Sequence, residues 1–275
     1  MDHFILNGEI LKKSESGFIP FLWDEPFVIT RKIWFGFGGI PLFYENIENI
    51  KLGLSALNIV VPNALLNEKE LFRITKRMLN KNRFYRSGII TCQVYAGKTE
   101  TNVVLSSSGF QEFEFPFSQQ GIMVNFFEYE KFSADPLGQF NFSNETLWKF
   151  AGSRISGTPF HNSVILNEKG FVCDCILANI FMIKGRTLLT PSIETGCYTD
   201  TLRTHILKSA DILGIKVVES GEISRDDIFQ MNEIFIAGEE IGIQWIVGVL
   251  NKRFVHNYSA KIHENLNDEL KNKSK

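Results

Sequence analysis

Apolar residues recur along this chain with two spacings, one typical of strands and one typical of helices. Alternating or continuous apolar segments predict strands, and apolar residues three or four positions apart predict helices. The predicted strands are 4–10, 26–37, 89–95, 102–105, 121–129, 163–166, 171–175, 179–183, 187–189, 217–219, 233–237, 244–249 and 253–256. The predicted helices are 47–57, 67–80, 144–156, 201–213, 222–229 and 258–270. This mixture favours an α+β fold.

A polar segment with proline and glycine interrupts the pattern at 131–139, where the sequence reads KFSADPLGQ. Such a composition is typical of a linker. We therefore predict two domains, a small N-terminal α/β domain over 1–130 and a larger C-terminal domain over 140–275. The chain can fill the cores of two domains, because 44% of its 275 residues are apolar.

Charge and composition exclude several functional classes. The formal net charge of −2 and the pI near 6.2 argue against a nucleic-acid partner. No apolar segment reaches the ~20 residues of a membrane span, and the first residues lack the pattern of a signal peptide. We therefore expect a cytoplasmic protein with no nucleic-acid or membrane partner. The four cysteines and five histidines lack the spacing of metal ligands, so we expect no metal and interpret the cysteines as buried small side chains.

Five segments carry a family resemblance. Four of them read FILNGEI at 4–10, GGIPLF at 38–43, ESGEI at 219–223 and NEIFIAGEEIGIQWI at 232–246. The fifth, 164–203, combines a turn at Lys169-Gly170, a carboxylate at Asp174, a buried strand that begins at Asn179, and a helix entry led by Gly196. In order and spacing they resemble the class IV aminotransferases. This pyridoxal phosphate (PLP) family includes branched-chain aminotransferase, D-amino-acid aminotransferase and aminodeoxychorismate lyase.

The resemblance implies an α+β, two-domain fold of the fold-type-IV aminotransferases, similar to D-amino-acid aminotransferase. It also implies a cleft at the domain junction and a homodimer. The 25 phenylalanines of the chain agree with a dimer, because some of that apolar surface would cover a partner.

The resemblance also identifies the positions where a PLP enzyme holds the pyridine ring. PLP needs a lysine for the Schiff base and an acid for the pyridine nitrogen. Asp174 stands at the position of the family's glutamate, with a side chain about 1.5 Å shorter (one carbon–carbon bond). Asn141 stands at the position of the lysine, three residues before Asn144. An amide is not nucleophilic, so Asn141 cannot form an imine, and Lys149 lies roughly 12 Å further along a helix.

The positions that hold the cofactor phosphate in the family are changed as well. Asn46 and Asn49 stand where the resemblance implies a His and an Arg. Asp200 and Thr201 occupy a Gly-Ile-Thr-Arg helix entry, whose N–H groups bind phosphate in the family. We expect Asp200 to cap this helix. Its carboxylate would oppose a phosphate charge at ~5 Å by about 3 kcal/mol at an effective dielectric of ~20.

These substitutions converge on one ligand and suggest a degenerate member of the family. The cofactor-binding positions that the resemblance assigns are Asn49, Asp174, Asp200, Thr201, Ala237 and Gly238, the last two in place of a hydroxyl-bearing pair. We expect a pseudoenzyme without a cofactor, either a binding or scaffold protein with a small ligand in the interdomain cleft or a catalyst of other chemistry. The alternative is an active PLP-dependent aminodeoxychorismate lyase, or a branched-chain or D-amino-acid aminotransferase, that uses Lys149. A third hypothesis is a binder of a ligand that carries no phosphate.

Overall fold

The computed structural model describes residues 2–15, 27–97 and 100–274. The chain forms two compact units. Unit 1 comprises Met1–Phe115 and Asp268–Lys275, and unit 2 comprises Pro116–Asn267. Each unit has its own sheet and its own helices, as an α+β chain of two domains requires.

Unit 1 is built on one antiparallel sheet. Its strands are β1 (His3–Leu6), β2 (Glu9–Lys12), β3 (Phe27–Phe35), β4 (Ser87–Ala96) and β5 (Thr101–Phe110). They lie in the order β2-β1-β5-β4-β3. The predicted strand 4–10 is two strands, because Asn7 and Gly8 turn the chain back with φ of 48° and 90°. Asn-Gly is the pair that tolerates positive φ at both turn positions.

The helices of unit 1 follow the predicted periodicity with shifted ends. They are α1 (Phe43–Ala56), α2 (Asn63–Leu66) and α3 (Glu68–Lys81), and a short 3-10 turn covers Lys13–Glu15. Buried apolar residues of α1 are spaced three or four apart, which is the signal that predicted it. Asn67 begins α3, and its side chain accepts the Glu70 N–H at 3.2 Å. The sequence missed α2, because four residues are too few to show a period.

Unit 2 contains a nine-stranded mixed sheet. Its strands are β6 (Phe117–Phe126), β7 (Asn162–Leu166), β8 (Val172–Cys175), β9 (Asn179–Lys184), β10 (Thr187–Pro191), β11 (Lys216–Ser220), β12 (Glu233–Gly238), β13 (Gly242–Val249) and β14 (Lys252–Arg253). The order is β11-β10-β9-β12-β13-β6-β7-β8, and β14 pairs with β13. The pairs β10–β11, β6–β13 and β6–β7 are parallel, and the others are antiparallel.

The middle of this sheet is the core of unit 2. All six residues of β12 and the first five of β9 are buried, as in a sheet covered on both faces. Phe181 and Phe235 stack across the two strands with ring centroids 5.0 Å apart. The helices of the unit are α4 (Asn141–Ile155), α5 (Leu202–Ile212) and α6 (Arg225–Ile228), with a 3-10 turn at Ile193–Thr195. The last helix, α7 (Tyr258–Lys273), begins in unit 2 and ends in unit 1.

The boundary between the units differs from the predicted linker at 131–139. It lies between Phe115 and Pro116. The reason is that β6 pairs with β13 and β7, so it belongs to the second sheet and takes the following segment with it. Pairing partners this distant in sequence are not visible in local composition.

Candidate functional site

The carboxylate of Asp174 lies in the interior of unit 2. β8, with the sequence VCDC, is buried along its whole length, and Asp174 is 0% exposed. Its partner on β7 is Ile165, so strand pairing brings no charge to it. Its Oδ2 accepts hydrogen bonds from Lys131 Nζ at 2.9 Å and from the Tyr198 N–H at 2.8 Å. Donors of this kind make a buried carboxylate tolerable.

Lys131 supplies the balancing charge, and the sequence pattern did not reveal it. Its side chain is 5% exposed, and its Nζ also donates to the Gly138 carbonyl at 3.1 Å. Its backbone is fixed beside β7 by a bridge to Asn167. Among the residues that the structure describes, Lys131 is the one buried lysine. The signal that could have indicated it is its position just after the predicted strand 121–129, where a lysine side chain can point into the protein interior.

The loop after Lys131 is held close to the site. Gly196 has a φ of 80°, and a Cβ there would lie 2.8 Å from the Phe132 carbonyl oxygen. Only glycine fits this approach. Glu168 anchors the same loop, accepting from the Ser133 hydroxyl at 2.6 Å and from its N–H at 2.8 Å. The Ser133 hydroxyl is the main cause that lowers the pKa of the Glu168 carboxyl.

The second oxygen of Asp174 is covered by protein but lacks a donor. Oδ1 is buried and has no hydrogen-bond partner among the described residues. Leaving a buried acceptor unpaired costs about 1–3 kcal/mol. An orphaned buried atom in a native structure calls for an explanation such as strain or a bound group. The carboxylate therefore has capacity for one donor more than the protein gives it.

Tyr198 connects Asp174 to a second buried carboxylate, Asp200. The Tyr198 hydroxyl donates to Asp200 Oδ2 at 2.7 Å, while its N–H donates to Asp174. Asn179 fixes the backbone between them, since its Nδ2 donates to the Tyr198 carbonyl and its Oδ1 accepts the Asp200 N–H at 3.0 Å. Trp148 of α4 packs edge-on against the Tyr198 ring at 5.0 Å. The two carboxylates thus share one rigid support.

Asp200 lies at the start of α5, close to the place where a cap was predicted. Its Oδ1 accepts from the Leu202 N–H at 2.9 Å and from the Glu239 N–H at 3.3 Å. With Tyr198 on Oδ2, both oxygens have protein donors. Thr201 is the N-cap residue of α5 and is 8% exposed. One backbone donor at this helix start, the Leu202 N–H, is thus bonded to a carboxylate of the protein itself.

Ala237 and Gly238 end β12 next to this network. Ala237 pairs with Asn179 across the sheet and is buried. A Cβ at Gly238 would lie 2.5 Å from the Leu177 carbonyl oxygen. The lack of a hydroxyl at residue 238 therefore has a packing reason, because any side chain there would collide with the backbone.

Lys149 is not part of this cluster. Its side chain on α4 is 80% exposed and faces Glu145 at 3.5 Å. Asn141 is the first residue of α4. Asn144 is buried and donates to the Gly138 carbonyl at 2.8 Å, the same carbonyl that accepts from Lys131. The geometry gives no support to the alternative in which Lys149 is the catalytic amine.

The remaining predicted positions lie in unit 1. Asn46 of α1 is buried, and its Oδ1 accepts from Arg31 Nε at 2.7 Å. Its Nδ2 donates to the Leu42 carbonyl at 2.8 Å. Asn49 is half-buried on the same helix. Arg31, 4% exposed on β3, is a buried guanidinium that the sequence pattern did not reveal, because strand alternation does not tell a buried cation from an exposed one.

The structure also bears on metals and membranes. Within residues 2–15, 27–97 and 100–274, no group of three or more His, Cys, Asp or Glu side chains could hold a metal ion. No helix in these ranges is long and apolar enough to cross a membrane. The free cysteines Cys92, Cys173, Cys175 and Cys197 are all buried. Burial raises the pKa of Cys92 to about 12 and also raises the pKa of the other three.

Comparisons with known sequences agree with the geometry. A profile of the family described as amino-transferase class IV matches residues 37–247, more than half of the chain. Aminodeoxychorismate lyase from Bacillus subtilis is 27% identical over 94 residues, which are 34% of this chain and 32% of the lyase. The chain therefore spans about a third of the length of this curated relative.

Two solved structures match over nearly the whole chain. The branched-chain aminotransferase of Thermobaculum terrenum in its PLP form has a TM-score of 0.86 at 14% identity, covering 99% of this chain and 95% of that one. The T.th. branched-chain aminotransferase with pyridoxamine 5′-phosphate has a TM-score of 0.83 at 15% identity, covering 98% and 94%. The predicted fold class is confirmed. The expectation that no cofactor is involved is wrong, because proteins of this family and fold hold PLP or its amine form.

Proposed function

Because the chain belongs to the class IV aminotransferase family, we propose that it binds the ring of a PLP-type cofactor at Asp174 without a covalent bond to it. By PLP-type we mean pyridoxal or pyridoxamine, with or without the phosphate. The observation that carries the proposal is the buried pair of Lys131 and Asp174, at 2.9 Å. The role is binding, in a fold whose relatives catalyse group transfer.

Asp174 suits the ring nitrogen of such a ligand. A protonated pyridine nitrogen is a cationic N–H donor, and so is the Lys131 ammonium that now bonds Oδ2. Asp174 accepts one in place of the other, so the buried charge stays balanced. The unpaired Oδ1 adds capacity for a further donor. Both oxygens are covered, so binding requires Lys131 and its loop to move aside.

For a covalent bond, the described residues around Asp174 offer no suitably placed amine. Asn141, the first residue of α4, carries an amide that cannot attack an aldehyde. Lys149 is exposed and paired with Glu145. Lys131 is buried, but Asp174 holds its Nζ at the acid. In PLP the aldehyde lies across the ring from the nitrogen, so an amine at the acid lies at the wrong end. When bound, PLP supplies an electron sink for amino-acid chemistry, and this arrangement leaves that chemistry without its usual lysine.

The test measures binding and covalent trapping separately. We expect pyridoxamine to bind saturably by calorimetry to the wild-type protein and not to Asp174→Asn. Asp211→Asn is the matched control, because it removes an exposed carboxylate from α5. We expect borohydride reduction in the presence of pyridoxal, followed by peptide mass spectrometry, to find no stoichiometric pyridoxyl group on any lysine.

Two results would overturn the proposal. If no PLP-type compound binds, or if Asp174→Asn binds as well as the wild type, the ligand assignment is wrong. Stoichiometric labelling of Lys131 would favour a second candidate, covalent PLP chemistry of the kind carried out by aminodeoxychorismate lyase or branched-chain aminotransferase. The match of the class IV aminotransferase profile to residues 37–247 is the observation that favours that candidate.

Assembly and location belong to the same proposal. Tyr129, Phe132 and Phe150 of unit 2 are 51%, 72% and 42% exposed, which is apolar surface that a second copy of the chain would cover. Light scattering should give twice the 31.4 kDa chain mass, and a strict monomer would contradict the homodimer. The free state of all four cysteines fits a reducing compartment such as the cytoplasm.

A further inference from the structure

Positive charge is concentrated on one surface of unit 1. This basic face comprises the exposed cations of α3 and of the segment after it, which are Lys69, Arg73, Arg77, Lys81, Arg83 and Arg86. Residues 69–86 contain seven Lys and Arg residues and one Glu, whereas the whole chain has a net charge of −2. The expectation of no nucleic-acid partner rested on that average, which does not show the clustering. We infer that the basic face binds a single-stranded nucleic acid.

Four of these cations form one line along α3. Lys69, Arg73, Arg77 and Lys81 are each four residues apart, so they lie on one side of the helix with a rise of ~6 Å between neighbours. Like charges at this spacing destabilise a helix, and the helix dipole favours cations only near the last turn. Helix stability therefore does not account for the line. Glu70 pairs with Arg73, and no carboxylate of the described residues pairs with Arg77 or Lys81.

The chain leaves α3 through an arginine in a left-handed conformation. Arg83 has a φ of 59°, and its N–H donates to the Asn80 carbonyl at 3.0 Å. The Phe84 N–H donates to the Leu79 carbonyl at 3.0 Å. These two bonds form a Schellman motif, whose left-handed position is usually glycine. An arginine is strained there, and strain of this kind concentrates at functional sites.

Exposed aromatic rings accompany the arginines at this end of the basic face. Tyr85 is 67% exposed and lies between Arg83 and Arg86 in the sequence. Arg86 Nη1 donates to the Gln111 carbonyl at 2.7 Å, and its guanidinium lies 5.0 Å from the ring centroid of Phe113. A cavity of about 350 Å³ is lined by residues 83–87 and 109–111. Exposed glutamates flank Phe113 in the sequence, so phosphates are expected on the α3 side of this cavity.

This combination fits an unpaired strand better than a lipid surface. Proteins bind single strands with cations along the backbone and aromatic rings on which unpaired bases stack. A helix that lies in a membrane surface needs exposed apolar residues. In α3 the apolar residues Leu71, Met78 and Leu79 are buried in unit 1.

The experiment measures fluorescence anisotropy of a labelled thymidine oligonucleotide of about 20 nucleotides with the full-length protein. If Arg77, Lys81, Arg83 and Arg86 each contact a phosphate, the affinity should fall about fiftyfold between 50 and 200 mM salt. The double variant Arg77→Gln with Lys81→Gln should halve the slope of log affinity against log salt concentration, because two of the four contacts are lost.

Two further variants separate charge from stacking. Lys149→Gln with Lys169→Gln is the matched control, since it removes two exposed cations of unit 2 and should leave the slope unchanged. Tyr85→Ala should weaken binding about tenfold at every salt concentration without changing the slope. Tyr85→Phe keeps the ring and should keep the affinity.

Several outcomes would overturn the inference. The first is no binding of the oligonucleotide at 50 mM salt. Another is a double variant at residues 77 and 81 that binds like the unit 2 control. Equal affinity for the hybridised duplex, or equal competition by polyglutamate, would mean that the face recognises charge alone. Co-sedimentation with phosphatidylserine vesicles, without oligonucleotide binding, would assign the face to a membrane. The inference concerns unit 1 alone, so pyridoxamine calorimetry on the same variants tests the proposed function separately.

Discussion

Tyr198 donates hydrogen bonds to two buried carboxylates, Asp174 and Asp200, and the other partners of these carboxylates differ. Asp200 accepts from the Tyr198 hydroxyl on one oxygen and from the Leu202 and Glu239 N–H groups on the other. Asp174 receives two donors on one oxygen and none on the other from the described part of the chain. Two of the donors to Asp200 are backbone N–H groups, whereas Asp174 depends on the ammonium of Lys131 for its charge balance. Asp200 is therefore tied to the start of α5, while Asp174 keeps one oxygen without a donor from the described residues.

The difference lies in how each carboxylate depends on the groups around it. A carboxylate that satisfies its own helix start stabilises the fold without a ligand. A carboxylate that depends on a lysine for its charge balance, and still has an oxygen without a donor, is stabilised by a further hydrogen-bond donor. In this chain Asp174 keeps an oxygen that has no donor among the described residues, and Asp200 satisfies a backbone N–H of its own helix.

The largest expected effect comes from removing the lysine. Lys131→Met leaves Asp174 buried without its ammonium, and breaking such a pair destabilises a protein by about 3–5 kcal/mol. Lys149→Met is the matched control, because its side chain is 80% exposed and its ion pair should contribute about 0–1 kcal/mol. The measurement is the urea midpoint of each variant, followed by circular dichroism.

The double variant Lys131→Met with Asp174→Asn sharpens this test. It removes both charges, so it should recover part of the stability lost in Lys131→Met. Equal midpoints for Lys131→Met and Lys149→Met would show that the Lys131–Asp174 pair is not a buried pair in solution, and the contrast with Asp200 would disappear.

A smaller effect is expected from Tyr198→Phe, which acts on one carboxylate only. It removes the hydroxyl that donates to Asp200 at 2.7 Å and keeps the N–H that donates to Asp174. We expect a loss of about 0.5–1.5 kcal/mol in unfolding free energy and unchanged affinity for pyridoxamine. Tyr129→Phe, at an exposed tyrosine, is the control. A large loss of pyridoxamine affinity in Tyr198→Phe would mean that the two carboxylates act as one unit.

The sequence predicted the fold well where local patterns decide it. The apolar period of α1 and α3, the Asn7-Gly8 turn and the buried strands β9 and β12 could all be read from the chain. The unit boundary could not, because the parallel pairing of β6 with β13 joins residues more than a hundred positions apart. α2 was too short for a period to show.

The candidate site likewise contains residues that could be predicted from the sequence and residues that could not. Asp174 and Asp200 follow from the order of the segments around them. Lys131 could not be predicted, because its role depends on a contact with Asp174, which lies 43 positions further along the chain. Arg31 at Asn46 is another such case, at a separation of 15 positions. The expectation of an empty, cofactor-free fold came from counting lost ligands without this lysine.

The smallest expected effect concerns Asp227, a half-buried carboxylate that, like Asp200, accepts hydrogen bonds at the start of a helix. Asp227 and Ser224 form a capping box at α6, where Asp227 Oδ2 accepts from the Ser224 hydroxyl at 2.6 Å and from its N–H at 2.9 Å. These bonds, the hydroxyl first, lower the pKa of Asp227. A carboxyl with a lowered folded pKa contributes stability above its unfolded value of about 3.9, and loses it as the pH falls through the folded pKa.

Ser224→Ala should cost up to about 1 kcal/mol at neutral pH, and less in acid. Urea midpoints from about pH 7 down to the lowest pH that keeps the fold would show this. Ser153→Ala, whose hydroxyl donates to the Phe150 carbonyl, should show a pH-independent change. A Ser224→Ala cost that stays constant with pH would mean that Asp227 is not the group that titrates with the cap.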